Sequence, residues 1–180
     1  PAFLQKLIPK LYGLYFNILV WFSSKKAAYK TFIVFATVRK GRILPNQKEY
    51  LDPAKLEVVT VGEHKIQVYN WAGAKETVLL VHGWESNTWR WHKLIEKLQK
   101  EDYNIIAFDA PAHGYSTGKI LHAPLYAKQV QAMLLKYKPT IAIGHSMGGM
   151  TILYNEYKNP NNILEKMVTI GSPSEFHEIM

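Results

Sequence analysis

The sequence contains no cysteine among its 180 residues. Disulfide cross-links and thiol chemistry are therefore excluded. Long apolar runs are also missing. Residues 11–24 are fourteen consecutive uncharged residues, whereas a helix that spans a bilayer needs about twenty. No internal repeat or low-complexity tract is present. The remaining composition, with 48% hydrophobic residues, is that of an ordinary globular protein.

Acidic residues are scarce in the first third of the chain. Residues 1–55 hold ten Lys or Arg and two Asp or Glu, while residues 56–180 hold twelve of each class. The net charge of +8 therefore belongs to the N-terminal segment. Because no nucleic-acid-binding motif accompanies this charge, we expect no nucleic-acid partner.

The N-terminal segment has a helical pattern of apolar residues. They recur at three- and four-residue spacing and form one stripe: Phe3, Leu4, Leu7, Ile8, Leu11, Leu14, Tyr15, Ile18, Leu19 and Phe22. A second apolar stretch covers residues 31–38 and ends in a basic run at residues 39–42. The pattern has two interpretations. Residues 3–38 either lie on a membrane surface or pack on protein, as an extension of the body or in a homo-oligomer. Packing is favoured, and we expect a cytoplasmic protein that is peripheral to the membrane only in the first case.

The most informative stretch is Gly144-His145-Ser146-Met147-Gly148. An apolar run at residues 141–143 precedes it. Apolar residues at helical spacing follow it, namely Met150, Ile152, Leu153 and Tyr157. Strand, tight turn and helix are the context of a nucleophile elbow. The serine hydroxyl then projects from the end of the sheet, in front of N–H groups at the helix N-terminus.

Other apolar runs end in glycine-containing loops. Residues 77–81 precede His82-Gly83-Trp84, residues 104–108 precede the loop from Asp109 to Ser116, and residues 166–170 read as the next strand. Helices are predicted at residues 88–100, with Thr88 as cap, and at 124–137. An antiparallel hairpin is predicted at residues 56–61 and 65–71, after a linker at residues 50–53. The alternation predicts a doubly wound sheet.

These motifs, in this order and spacing, resemble those of the α/β-hydrolase family over roughly residues 56–175. The serine at the elbow, with Glu85 after the His-Gly-Trp loop, resembles its serine hydrolases more than its epoxide hydrolases or dehalogenases. The resemblance implies an α/β fold with a mostly parallel, doubly wound sheet, which we expect to stop after about the sixth strand. It divides the chain into a basic amphipathic helical extension at residues 1–50 and the N-terminal part of a hydrolase domain at residues 51–180.

The resemblance also implies roles for individual residues. Ser146 would be the nucleophile, and the backbone N–H groups of Met147 and Trp84 would form the oxyanion hole. The remaining motif residues would shape the elbow and its loops: Gly144, His145, Gly148, Gly149, His82, Gly83, Asp109, His113 and Gly114. We expect a small-molecule acyl substrate, no cofactor and no metal.

A general base for Ser146 is not evident. In this family the acid and then the histidine follow the nucleophile, yet only His177 does so here, with Glu175 as the nearest candidate acid. Both are poor candidates. We therefore expect a fragment of a longer serine hydrolase that is inactive alone. The rival hypotheses are a ligand-binding protein that keeps the fold without turnover, and a membrane-surface protein.

Overall fold

A computed structural model describes residues 2–160 and 162–173. The chain divides by its internal contacts into two compact units, Pro1–Thr37 and Val38–Met180. In the part of the chain that the structure describes, no helix is both long enough and apolar enough to cross a membrane.

The first unit is a pair of helices. Helix α1 covers Ala2–Phe22 and helix α2 covers Ser24–Ala36, with Ser23 between them as the N-cap of α2. The Ser23 hydroxyl accepts a hydrogen bond from the N–H of Lys26, which satisfies one of the unpaired donors of the first turn. The two helices contact each other. Lys30 of α2 donates to the Tyr15 hydroxyl of α1 at 2.7 Å, so α2 folds back along α1.

The second unit is built on a mixed sheet. Within the described residues it has six strands: β1 Lys55–Val61, β2 His64–Trp71, β3 Thr77–Val81, β4 Asn104–Phe108, β5 Ile141–His145 and β6 Lys166–Ile170. Their order across the sheet is β1-β2-β4-β3-β5-β6. Strand β2 is antiparallel to β1 and to β4, while β3, β4, β5 and β6 are parallel. The predicted fold class, a mostly parallel sheet of about six strands, is confirmed.

Helices cover both faces of this sheet. They are α3 Pro45–Leu51, a short 3-10 helix at Thr88–Trp91, α4 His92–Lys100, α5 Ala123–Tyr137 and α6 Met147–Lys158. Alternate side chains of β3 point to opposite faces. Leu79 and Val81 pack in a cluster with residues of α5 and α6. Val78 and Leu80 pack in a second cluster with residues of α3 and α4. This two-sided burial explains why the central strands are continuous apolar runs.

Three features differ from the sequence-based expectations. The predicted linker at residues 50–53 begins inside helix α3, whose last residue, Leu51, is fully buried. The boundary between the two units lies after Thr37 and not at residue 50, because the residues that follow Thr37 hydrogen-bond to loops of the second unit. Helix 88–100 is divided into a 3-10 turn and α4, and the N-cap is Asn87 rather than Thr88.

Strand β6 lies at one edge of the sheet, and its side chains are exposed. The apolar side chains of Met167, Val168 and Ile170 each keep between 41% and 45% of their surface accessible. Tyr157, on the neighbouring helix α6, is also exposed.

Candidate active site

The predicted motifs meet at one edge of the sheet. Strands β3, β4 and β5 are parallel, and in the register Val81 pairs with both Phe108 and Gly144. The segments that follow these strands are therefore adjacent. Strand β3 has β4 on one side and β5 on the other, so the chain reverses its winding there. Open α/β sheets bind ligands at this kind of switch point, beyond the carboxyl ends of the strands.

Ser146 occupies the turn between β5 and α6. Its backbone has φ 52° and ψ −125°, a left-handed conformation that residues with a Cβ rarely adopt. Hydrogen bonds fix this conformation. The Ser146 N–H donates to the carbonyl of Ile170, and its own carbonyl accepts from the N–H groups of Gly149 and Met150. Met147 is the first residue of α6, where backbone N–H groups have no partner inside the helix.

Glycine at positions 144 and 148 allows this turn to pack tightly. A Cβ added to Gly144 would lie 2.5 Å from the Cα of Gly149, on the helix side of the elbow. A Cβ added to Gly148 would overlap the carbonyl oxygen of Val81 and lie 2.5 Å from that of His82. Real Cβ atoms do not make such contacts, so the helix, the elbow and the end of β3 can approach only through glycine.

The loop after β3 lies against the elbow. A Cβ added to Gly83 would come within 3.1 Å of the Ser146 Cβ and of the His145 ring nitrogen Nδ1. The next residue, Trp84, is partly buried against the core, with its ring 6.0 Å from the His113 ring in an edge-on arrangement. The structure thus places the Gly83 backbone beside Ser146.

Two buried histidines link this loop to the loop after β4. The Ala110 N–H donates to Nε2 of His82, and the Glu85 N–H donates to Nε2 of His113. Because Nε2 is an acceptor in both rings, each proton must be on Nδ1, from which His82 donates to the Gly83 carbonyl and His113 to the Pro111 carbonyl. Burial lowers the pKa of each imidazole to about 4.

Because of these two histidines, we expect the free energy of unfolding to decrease in mild acid. An unfolded histidine titrates near pH 6.5, and the folded pKa of His82 and His113 lies below that value. As the pH falls from 7 to 5 the unfolded chain therefore binds protons that the folded protein does not. Each histidine should then lower the free energy of unfolding by roughly 2 kcal/mol. Urea unfolding at both pH values measures this, and in His113→Gln the decrease should be smaller than in the wild type by roughly 2 kcal/mol. An equal decrease in both proteins would contradict the neutral assignment of His113.

Asp109 organises the loop after β4 from inside. Its carboxylate is fully buried and accepts hydrogen bonds from the Tyr69 hydroxyl and from the N–H groups of Thr88 and Tyr115. Burial raises the pKa of this carboxyl, and the three hydrogen bonds act in the opposite direction. Gly114 packs so closely on this carboxylate that an added Cβ would overlap it. The carboxylate therefore links strand β2, the first residue of the 3-10 helix and the loop after β4.

His145, next to the predicted nucleophile, contacts Arg90. The guanidinium donates to Nε2 of His145 at 2.9 Å. An arginine can only donate, so the proton of the neutral ring is on Nδ1. Among the described residues, Nδ1 has no hydrogen-bond partner. Burial, and then the charge of Arg90, lower the pKa of this imidazole. The ring is thus oriented by Arg90, which the sequence analysis did not identify.

Residues 38–47 form a further part of the site that the sequence analysis missed. The Glu85 carboxylate accepts from the N–H groups of Arg39 and Lys40. The Arg42 guanidinium donates to the carbonyls of Gly114 and Ser116, in the loop after β4. This segment therefore ties both loops together. The glycine at position 41 was the signal in the sequence that could have indicated this role. In the structure Gly41 has φ 94° and approaches the His113 ring.

A basic cavity of about 610 Å³ opens beside this segment. Arg39, Lys40, Arg42 and Arg90 line it together with Glu85. Ser146 and Trp84 are not among its lining residues, so the cavity flanks the elbow and does not contain it. Within residues 2–160 and 162–173, no cluster of three or more His, Asp or Glu side chains could hold a metal ion.

A general base is not in place among the described residues. Both ring nitrogens of His82 and of His113 are engaged with backbone groups, and Nε2 of His145 accepts from Arg90. No described histidine hydrogen-bonds to the Ser146 hydroxyl. His177 and Glu175, the weak candidates from the sequence, lie outside the described residues.

Known proteins are similar in sequence to this chain. Residues 76–179 match the family model of the alpha/beta hydrolase fold. A pimeloyl-[acyl-carrier protein] methyl ester esterase of Vibrio parahaemolyticus is 30% identical over 106 residues, which is 58% of this chain and 40% of that protein. An uncharacterized hydrolase of Bacillus subtilis is 33% identical over 103 residues, 54% of this chain and 37% of that protein. The chain thus spans less than half the length of these relatives.

A solved structure supports the same fold. An esterase from Exiguobacterium antarcticum superposes with a TM-score of 0.61 at 22% identity, over 67% of this chain and 46% of that one. Because the family model covers more than half of the sequence, the chain belongs to the alpha/beta hydrolase family. The relatives that it matches include a methyl ester esterase and an uncharacterized hydrolase.

Proposed function

We propose that the whole protein is a serine hydrolase that cleaves a carboxylic ester, thioester or amide through an acyl intermediate on Ser146. The observation that supports this most directly is the left-handed backbone of Ser146 at the β5–α6 turn. A protein that merely connects a strand to a helix has no need for a strained serine, because glycine or a relaxed turn makes the same connection. In a hydrolase the strain presents the hydroxyl at the end of the sheet.

The proposed first step forms the acyl enzyme. The Ser146 hydroxyl oxygen attacks the substrate carbonyl carbon and gives its proton to a general base. The negative charge develops on the carbonyl oxygen, and the N–H groups of Met147 and Trp84 donate to it. Met147 is well suited to this because it begins α6, whose N-terminus also favours negative charge. Collapse of the intermediate expels the alcohol, thiol or amine with that proton, and water then releases the acid.

The general base in this proposal is a histidine outside the described residues. His82 and His113 are unsuitable, because protonating Nε2 of either ring would break a backbone hydrogen bond between the two loops. We assign them, with Asp109, the task of holding the oxyanion loop at the distance from Ser146 that the reaction requires. His145, oriented by Arg90, supports the elbow from the other side.

A carboxylic ester is the first substrate class to test. The Vibrio relative is named as a methyl ester esterase, and the solved neighbour from Exiguobacterium is an esterase. The acyl group itself is not specified by the described residues, so a panel of short and medium p-nitrophenyl esters is the appropriate starting set.

Covalent labelling tests the proposed nucleophile. A fluorophosphonate reacts with an activated serine, and in the whole protein we expect one adduct, located by peptide mass spectrometry on Ser146. Ser146→Ala should abolish the adduct. Ser86→Ala, which alters a serine in the neighbouring loop, should retain it. Labelling that persists in Ser146→Ala, or a folded whole protein that neither labels nor turns over any ester, would reject the hydrolase proposal in favour of a ligand-binding protein.

A further inference from the structure

The first unit presents an apolar face that the described residues leave open. Six apolar side chains of α1 keep at least half of their surface accessible, and Val20, at 51%, is one of them. The other five are Leu11 54%, Leu14 59%, Ile18 53%, Trp21 91% and Phe22 83%. At 100° per residue these five positions fall within an arc of roughly 100° on one side of the helix. We call this set the exposed face of α1. Isolated exposed apolar residues are ordinary, whereas a contiguous set of this kind marks an interaction site.

Basic residues adjoin this face, and acidic residues are absent from its sequence neighbourhood. Residues 1–37 contain five lysines, Lys6, Lys10, Lys25, Lys26 and Lys30, and no Asp or Glu. Lys25 and Lys26 follow Trp21 and Phe22 across the Ser23 cap, so the two aromatic rings and the two ammonium groups share the tip of the helix pair. Both lysines are exposed.

We propose that the exposed face of α1 binds the surface of a membrane that contains anionic lipid. Aliphatic side chains and the two aromatic rings would enter the boundary between headgroups and acyl chains, where tryptophan is favoured. The lysines would remain at the level of the lipid phosphates, each contributing electrostatic attraction. This differs from the packing on protein that the sequence analysis favoured.

The charge distribution favours a lipid surface over a second copy of the chain. Two copies joined through the same face would bring two lysine-containing segments together, with no carboxylate in residues 1–37 to compensate their charge. Like charges across an interface oppose association. Anionic phosphates supply the opposite charge, and the acyl region accommodates the aromatic rings at the same time.

Vesicle binding by the full chain tests the proposal. Sedimentation with phosphatidylcholine vesicles that contain about one third phosphatidylglycerol should recover the wild-type protein, and vesicles of phosphatidylcholine alone should recover much less. Leu14→Glu should weaken binding by at least about tenfold, because it places a charge where a leucine would be buried. The matched control is Leu135→Glu on α5, where the leucine is 60% exposed, close to the 59% of Leu14. That variant should bind as the wild type does.

Charge is tested separately. Lys25→Gln combined with Lys26→Gln should weaken binding to the anionic vesicles on the order of thirtyfold at low salt, at about 1 kcal/mol for each lysine. The same pair should leave binding to neutral vesicles unchanged. Added salt should weaken the wild type toward the double variant. A blue shift of tryptophan emission on binding should disappear in Trp21→Tyr, which reports insertion even if another variant is unstable.

Three results would each overturn the proposal. Leu14→Glu and Leu135→Glu could weaken vesicle binding equally, or the wild type could bind anionic and neutral vesicles equally well. The third such result is a folded wild-type protein that binds no vesicles. A wild-type dimer in the absence of lipid that Leu14→Glu dissociates would also overturn it, because the face would then bind a second copy. None of these outcomes bears on Ser146, so the hydrolase proposal and this one can fail independently.

Discussion

Ser146→Ala is expected to lower ester turnover by the whole protein by about 10⁴- to 10⁶-fold. The reason is that no neighbouring group can replace the lost nucleophile. His145, the preceding residue in the chain, accepts a hydrogen bond from Arg90 at Nε2, and the hydroxyl of Ser116 donates to the carbonyl of Asp109. A residual rate above that in water would come from the Met147 and Trp84 N–H groups, which the substitution leaves in place.

Stability serves as the control for this variant. Alanine keeps the Cβ at φ 52°, so the melting temperature of Ser146→Ala should stay close to that of the wild type. Ser146→Gly should lose turnover to the same extent, yet it should melt at or above the alanine variant, because glycine relieves the left-handed strain. Initial rates on p-nitrophenyl esters and thermal melts separate the two effects. Turnover in Ser146→Ala within tenfold of the wild type would contradict the assignment of the nucleophile.

The parts of the fold that the sequence predicted are those with the strongest local signals. Strands β3 and β4 have the predicted bounds, because a short apolar run that ends in a glycine-containing loop leaves little freedom for a boundary. Helix α5 begins one residue before its predicted start, with Pro124 in its first turn. In α5 the apolar residues Val130, Met133 and Leu134 are fully buried, and Tyr137 is partly buried against the same cluster.

The parts that sequence could not provide depend on contacts between distant segments. The linker predicted at residues 50–53 overlaps the end of helix α3, whose order comes from the burial of Leu51 in a cluster with Tyr69 and Trp71. Likewise, the sequence shows the basic run at residues 39–42 only as the end of the second apolar stretch of the N-terminal segment. Its position is set by Glu85 and Asn87, more than forty residues later in the chain, through hydrogen bonds to its backbone.

The protonation states of the histidines at the site could not be predicted from the sequence either. A histidine in the sequence does not reveal which ring nitrogen will face a backbone N–H. The structure supplies the partners, Ala110 for His82 and Glu85 for His113, and the tautomer follows from them. The tautomers matter for the proposed mechanism, because both histidines then hold loops together, and the proposed proton transfer from Ser146 requires another group.

Gly148→Val is expected to prevent the second unit from folding, or to lower its free energy of unfolding by more than about 4 kcal/mol. The Cβ would overlap the carbonyl oxygen of Val81 and crowd that of His82. Both are backbone atoms at the end of β3, in the centre of the sheet, so no side-chain rotation can relieve the contact. Gly144→Val should act similarly, because its Cβ would meet the backbone of Gly148 and Gly149.

A valine placed at another glycine separates this clash from the general effect of the residue. Gly13 lies in helix α1, and a Cβ added there has no neighbour within 4 Å. Gly13→Val should therefore leave the melting temperature of the second unit within a few degrees of the wild type, since its effect is limited to helix propensity, which differs little between the two residues. Soluble yield, far-UV circular dichroism and thermal melts of the variants provide the comparison. If Gly148→Val and Gly13→Val had the same melting temperature, the close approach of α6 to β3 would not be needed for folding. The elbow would then be an ordinary turn, with no packing that holds Ser146 in its strained conformation.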